Sequence, residues 1–233
     1  MNVLLRLAYK GTRYAGFQVQ PNAPPVCAAF QDALQAVLGE RPDVKGCSRT
    51  DAGVHALDFA LNFHYDGHIP PARLVLALNA HLPEDIRVKS AQPVPEDFHA
   101  RYAAHAKTYR YRIRNSAVDD PFDLDTCWRT AGPLCAAGSG PAAHGDTVRT
   151  ITACTVERQG ELVTVTVTAD GYLYNMVRIL AGTLVEAGRG KPDPAAVPDI
   201  LAKGDRRLAG PTLPAKGLFL LRVDYPGGAL HPT

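Results

Sequence analysis

Residues 45–64 read KGCSRTDAGVHALDFALNFH and contain the clearest structural pattern in the chain. The second part of the stretch alternates large apolar residues with small or polar ones, at Phe59, Leu61 and Phe63, which is the period-two pattern of a half-buried strand. The first part is a tight loop between apolar segments, and its one acid is Asp51. The stretch therefore predicts a sheet strand that follows an acid-bearing loop, a common position for a functional site.

Strands and helices alternate on both sides of this stretch. A Gly- and Pro-rich loop over 11–25 precedes an amphipathic helix that Gly39 ends, and Gly188 marks the end of a later helix. The predicted elements are strands at 2–9, 59–63, 163–167 and 218–223, and helices at 26–38, 72–80 and 174–187. Small residues at 136–141 predict a loop or linker. The pattern favours two α+β halves, 1–105 and 106–233.

Composition indicates a globular protein, because 46% of the 233 residues are hydrophobic and 21% are charged. Arg6 interrupts the opening apolar run, and no long apolar stretch follows, so we expect a cytoplasmic chain without membrane contact. The five cysteines are widely spaced and predict reduced thiols. His64 and His68 have no further ligands nearby in sequence, so we expect no metal site.

A basic and aromatic segment spans residues 101–115, RYAAHAKTYRYRIRN. It has no acid, and its basic residues are Arg101, Lys107, Arg110, Arg112 and Arg114, interleaved with three tyrosines. Such a segment suits both phosphate attraction and base stacking, so it predicts contact with nucleic acid. Strand alternation would place Tyr109 and Tyr111 on one face and the arginines on the other.

Six motifs, in order along the chain, resemble those of the TruA family of tRNA pseudouridine synthases. Residues 46–55 match the family's G-x-x-R-T-D-A-G-V-H signature. The others are the residues Tyr9, Gly11, Tyr14, Gly16, Phe17, Gln18 and Gln20, the segment 78–83, the segment 97–101 followed by Tyr109 and Tyr111, the segment 172–182 with Met176-Val177-Arg178, and the closing segment 214–218. The resemblance extends over nearly the whole chain.

The resemblance implies a function and a fold. The family isomerises uridine to pseudouridine in the anticodon stem-loop of tRNA, at positions 38–40, as a homodimer without cofactor or metal. Its fold is α+β, with two similar halves that form a continuous, mainly antiparallel sheet flanked by helices and an RNA-binding cleft over the sheet. We expect the same of this chain.

The resemblance also implies roles for four residues. Asp51 is expected to be the catalytic nucleophile, and Arg178 is expected to keep it ionised through a bidentate ion pair. Arg49 is expected to help flip the target base, and Tyr109 to lie against the uracil. Without the resemblance, the favoured interpretation of Asp51 is a turn aspartate, and the alternatives for the others are an exposed helix residue at Arg178, a phosphate contact at Arg49 and a core residue at Tyr109.

The chain departs from the family pattern in its second half. The segment 129–150 is shorter than usual and almost free of aromatic residues. This departure bears on the expected tRNA binding and dimerisation more than on the expected catalysis. Lys10, Cys27 and Leu213 also differ from the usual residues. Two other functions stay open: a catalytically silent tRNA-binding module, and a hydrolase that pairs Asp51 with Asp97 or Asp170.

Overall fold

A computed structural model describes residues 1–18, 24–134, 149–191 and 193–226, and in this part of the chain nine strands and four α-helices occur. The strands are β1 (Asn2–Tyr9), β2 (Lys45–Gly46), β3 (His55–His64), β4 (Ile86–Val94), β5 (Ala106–Asn115), β6 (Trp128–Thr130), β7 (Ile151–Gln159), β8 (Leu162–Ala169) and β9 (Leu218–Asp224). The helices are α1 (Val26–Leu38), α2 (Pro71–His81), α3 (Met176–Gly188) and α4 (Val197–Lys203). The predicted α+β class with mainly antiparallel strands is confirmed.

Contacts along the backbone divide the chain into two compact units. The first contains Met1–His105 and the described residues from Leu220 onward, and the second contains Ala106–Phe219. The sequence placed the whole of 106–233 in the second half, whereas most of β9 belongs to the first unit. The RNA-binding cleft expected over the sheet stays a prediction.

In the first unit the strand order is β4, β1, β3 and β9, with β2 beside β3. β1 is antiparallel to both of its neighbours, and seven of its eight residues are buried. A strand with neighbours on both edges and cover on both faces needs a nearly continuous apolar run, which the sequence supplies. β1 and β3 thus form the core beneath the loop that carries Asp51.

In the second unit the order is β5, β8 and β7, all antiparallel, while β6 runs parallel to β5. β8 alternates strictly, with Val163, Val165 and Val167 buried between threonines. β5 alternates in the same way, and its partner register sets Tyr109 opposite Val167. The predicted facing of the β5 side chains is confirmed.

The helices agree closely with the sequence pattern. α1 has the predicted bounds, and Gly39 ends it in the left-handed conformation with φ 78°. α3 begins at Met176 instead of residue 174, because Asn175 adopts a left-handed backbone, and it includes Gly188. None of the described helices is long and apolar enough to cross a membrane.

The cysteines within the described ranges, Cys27, Cys47, Cys127 and Cys154, are all free thiols. Burial raises the pKa of Cys127 to about 11, and it also raises the pKa of Cys27 and Cys154. Cys135 and most of the shortened segment 129–150, from 135 to 148, lie outside the described residues. Gln20 of the amino-terminal motif does so as well.

Candidate active site

The predicted nucleophile Asp51 lies on the loop between β2 and β3 in the first unit. It is half-buried, and the Val54 amide donates to its backbone carbonyl at 3.2 Å, which closes a turn. Gly53 occupies the third position of that turn with φ 78°, a conformation that glycine adopts without a steric penalty. The A-G-V part of the signature therefore builds the turn that begins at Asp51.

Two glycines of the amino-terminal motif form the support for this loop. A Cβ atom on Gly11 would lie 1.9 Å from the Val54 carbonyl oxygen, and one on Gly16 would lie 2.1 Å from the Thr50 carbonyl oxygen. Gly16 also has φ 83°. Only glycine permits the two chain segments to approach this closely, so the loop rests directly on backbone.

Hydrogen bonds fasten the loop to the same support. The hydroxyls of Tyr9 and Thr50 are 2.9 Å apart, and the Gly53 amide donates to the Tyr14 carbonyl at 3.1 Å. The Gly11 amide donates to Nδ1 of His55 at 3.0 Å, and that histidine is fully buried. Asp51 is thus held by a loop whose position is fixed from several sides, as a preorganised site requires.

An exposed ion pair anchors the other end of this support. Asp85 accepts from Nε of Arg13 at 2.8 Å and from the Tyr14 hydroxyl at 2.7 Å. Burial acts to raise the pKa of Asp85, but these two hydrogen bonds outweigh it and hold the pKa below its ordinary value. Burial and the bond to Asp85 raise the pKa of Tyr14 to about 12. Tyr14 is therefore fixed at its hydroxyl and, through Gly53, at its carbonyl.

Arg49 lies on the same loop, two residues before Asp51. Its side chain is exposed. A long exposed cation beside a half-buried carboxylate is suitably placed to contact an RNA strand. Arg49 and Asp51 are the two predicted site residues that one loop carries together.

Tyr109 and Arg178 belong to the second unit. Tyr109 is 6% exposed, and its ring meets that of Tyr172 edge-on, with centroids 4.7 Å apart. The Tyr172 hydroxyl lies 2.8 Å from both the Lys107 and the Val167 carbonyl oxygens, so this ring is fixed and braces Tyr109. Tyr111 is the core tyrosine of this strand, fully buried with its hydroxyl donating to the Pro214 carbonyl at 2.7 Å.

Arg178 lies in the first turns of α3 and is held at two nitrogens. Nε donates to the Leu213 carbonyl at 2.6 Å, and Nη1 donates to Oδ1 of Asn175 at 2.7 Å. The segment with Leu213 lies tightly on the helix, since a Cβ on Gly182 would be 1.9 Å from the Pro211 carbonyl oxygen. Leu213 contacts Arg178 through its backbone carbonyl, while its side chain is buried.

Two arginines of the basic strand β5 form ion pairs with nearby acids. Arg112 and Arg114 both form ion pairs with Asp123, the former at 3.1 Å, and Arg114 also contacts Asp120 at 3.1 Å. Burial acts to raise the pKa of Asp123, but its bond to Arg114 and the charges of both arginines lower the pKa overall. Acids just beyond the segment therefore offset the charges of these two arginines, and contact of the segment with nucleic acid stays a prediction.

The start of the same segment is exposed and lies in the first unit. Tyr102 is 77% exposed, its ring centroid lies 4.3 Å from that of His99, and the Arg101 guanidinium carbon lies 5.9 Å from its centroid. Buried Asn62 holds the backbone beneath, accepting from the Ala100 amide at 2.8 Å. Burial, then the charge of Lys45, lowers the pKa of His99. These residues form an exposed aromatic and cationic surface.

The acids proposed for a hydrolase have ordinary structural settings. Asp170 accepts from the Thr150 amide at 2.9 Å, next to the Ile151–Ala169 end of the β7–β8 pair, and Asp97 is exposed in the turn before Ala100. Among the described residues, no three histidine, cysteine or acidic side chains cluster in a way that could hold a metal ion.

Comparison with known proteins adds the decisive observation. A family profile described as tRNA pseudouridine synthase matches residues 7–103 and 135–226. The chain belongs to the tRNA pseudouridine synthase family. The resemblance that the motifs indicated and the predicted enzyme class, an isomerase, are confirmed.

Curated relatives match over nearly their whole length. The tRNA pseudouridine synthase A of Moorella thermoacetica is 43% identical over 244 residues, which is 95% of this chain and 98% of the relative. The proteins of the same name from Acetivibrio thermocellus and Brevibacillus brevis are each 41% identical, over 96% and 94% of this chain and 99% and 97% of their own. This member of the tRNA pseudouridine synthase family is therefore similar to these relatives over nearly the full length of both chains.

Proposed function

We propose that this chain isomerises uridine to pseudouridine at positions 38–40 in the anticodon stem-loop of tRNA, with Asp51 as the catalytic nucleophile. The observation that carries the proposal is the setting of Asp51, a half-buried acid on a loop that Gly11, Tyr14 and Gly16 hold in place. Family membership supports the reaction, and the close contacts beneath this loop support the role of Asp51, because they fix the position of its backbone.

The reaction conserves atoms and electrons. The bond from C1′ of the ribose to N1 of uracil breaks, the base turns, and a bond from C1′ to C5 forms. The proton on C5 then leaves, and N1 takes up a proton, so no oxidant, reductant or group donor is required. Whether Asp51 attacks the sugar, adds to the ring or promotes elimination from the sugar, it acts as a carboxylate.

Arg178 is the proposed cationic partner of that carboxylate. A guanidinium that is fixed in its plane favours the ionised acid when RNA has excluded water from the site. The bonds from Nε to Leu213 and from Nη1 to Asn175 support this role, since they set the direction of the guanidinium within its own unit.

Tyr109 and Arg49 are the proposed substrate-binding residues. Tyr109, braced by the fixed ring of Tyr172, would lie against the uracil and accept the C5 proton through its hydroxyl. Arg49 is exposed on the Asp51 loop and would enter the space that the flipped base leaves. The exposed surface at Arg101 and Tyr102 would contact the RNA strand by charge and stacking.

The active form is proposed to be a cytoplasmic homodimer. Large apolar side chains of the second unit are exposed near one another in sequence: Val118 at 72%, Phe122 at 92% and Leu124 at 49%. Exposed apolar side chains of this size favour association. Sedimentation of the 25.0 kDa chain should give the mass of two copies, and a monomer at micromolar concentration would contradict this part of the proposal.

The reaction is tested by incubating the purified protein with unmodified tRNA and mapping pseudouridine with carbodiimide. Pseudouridine at positions 38–40 is the expected result. Free uracil would indicate a hydrolase, and tight tRNA binding without product would indicate a silent binding module.

A further inference from the structure

Asn175, immediately before α3, has an unusual backbone conformation. It is the one non-glycine residue with positive φ in the part of the chain that the structure describes, at φ 58° and ψ 7°. In this region the Cβ atom of an L-residue approaches the following carbonyl oxygen, so the conformation is unfavourable and persists only where the surroundings hold it. Asparagine tolerates it better than most residues.

The side chain of Asn175 does not cap the helix. Asparagine is a preferred residue at this position because its oxygen normally accepts an amide of the first helical turn. Here the side chain makes no capping bond, and only the backbone carbonyl joins the helix, accepting from the Ile179 amide at 2.9 Å. The left-handed backbone turns Oδ1 toward Arg178 instead, which donates to it from Nη1 at 2.7 Å.

This bond and the bond from Nε to the Leu213 carbonyl lie on different nitrogens of one planar group. The Nε bond alone would leave the position of the Nη atoms to the side-chain torsions, whereas two fixed nitrogens define the plane. The rest of the guanidinium then has a single direction. Asn175 thus makes this contact although its side chain leaves the helix uncapped and its backbone has an unfavourable φ.

We propose that Asn175 is a positioning residue, whose left-handed conformation directs its amide oxygen to Arg178 and fixes the guanidinium for catalysis. The proposal rests on the proposed function, in which Arg178 supports the catalytic acid. Asn175 itself does not touch the substrate.

The test is Asn175→Gly, because glycine adopts the same φ while it removes the acceptor. We expect kcat to fall by about tenfold to a hundredfold, the worth of one charge-assisted hydrogen bond. The KM for tRNA should change by less than about threefold, and the melting temperature by less than about 3 °C, because the backbone is not strained further. The matched control is Glu186→Ala, which removes a carboxylate acceptor from the Arg189 guanidinium three residues later at the end of the same helix and should leave kcat unchanged.

A double variant separates positioning from a general structural role. If Asn175 acts through Arg178, Asn175→Gly should lower kcat in the wild-type background and have no effect in Arg178→Ala. Unchanged kcat in the single variant, or equal losses in both backgrounds, would overturn the proposal. Full activity of Arg178→Ala would overturn it as well.

A readout without turnover distinguishes this proposal from the proposed function. In arginine-labelled protein, the Nη1 protons of Arg178 should exchange slowly in the wild type and rapidly in Asn175→Gly, and equal exchange would refute the contact. If the wild type makes no pseudouridine, the proposed function fails, and the exchange result still decides whether Asn175 positions Arg178.

Discussion

The substitution Gly16→Ala tests whether the position of the Asp51 loop depends on the close backbone contact beneath it. Gly16 has φ 83°, and its Cβ would lie 2.1 Å from the Thr50 carbonyl oxygen, whereas real contacts of this kind are not shorter than 3.0 Å. Residue 50 would have to move by about 1 Å, and Asp51 is next to it.

Gly39→Ala is the matched control. Gly39 also has positive φ, at 78°, but a Cβ there would meet nothing within 4 Å. Both variants pay the conformational cost of about 1–2 kcal/mol of unfolding free energy. Gly16→Ala should lose about 1–3 kcal/mol more through the collision, and its kcat should fall by about a hundredfold, the usual cost of a 1 Å misplacement.

The assay combines unfolding in guanidinium chloride with tritium release from tRNA labelled at C5 of uridine. We expect Gly39→Ala to keep wild-type kcat while it loses a little stability. Equal effects of the two substitutions on both quantities would refute the idea that the loop rests on Gly16.

Three further predictions concern the substrate-binding residues. Arg178→Lys keeps the charge but cannot make both bonds, so kcat should fall by about a hundredfold. Arg189→Lys, at the other end of the same helix, should leave kcat unchanged. Wild-type turnover in Arg178→Lys would rule out a fixed guanidinium. Tyr109→Phe should keep tRNA affinity and lower kcat, while Tyr111→Phe should lose about 1 kcal/mol of stability with little change in kcat; equal loss of affinity and rate in Tyr109→Phe would indicate a structural tyrosine. Tyr102→Ala should weaken tRNA affinity in filter binding by about tenfold and leave kcat at saturating tRNA unchanged, and unchanged affinity would remove this surface from RNA contact.

The elements with strong periodicity could be predicted from the sequence. α1 has its apolar stripe and its terminal Gly39, and β8 alternates without interruption. β4 and β7 were not predicted, because each is paired on one edge only and carries many exposed polar residues, which weakens the alternation. The start of α3 was misplaced because the left-handed conformation of Asn175 has no strong sequence signal.

The candidate site could be predicted as a list of residues but not as a structure. The motifs gave Asp51, and they also contained Gly11 and Gly16, but nothing local says that those glycines lie beneath residues 50 and 54. Contacts of that kind depend on strand pairing between distant segments. The ion pairs of Arg112 and Arg114 could not be predicted, because Asp123 lies outside the acid-free segment and only the folded chain brings it to these arginines.

The central claim is that Asp51 is the catalytic nucleophile, and the most direct measurement compares Asp51→Asn with Asp66→Asn on unmodified tRNA. Asp66 is a true turn aspartate, which accepts from the His68 amide two residues later at 3.0 Å, so it represents the structural alternative for Asp51. We predict that Asp51→Asn forms no pseudouridine and binds tRNA within a few-fold of wild type, while Asp66→Asn retains full turnover. Appreciable pseudouridine formation by Asp51→Asn would contradict the account.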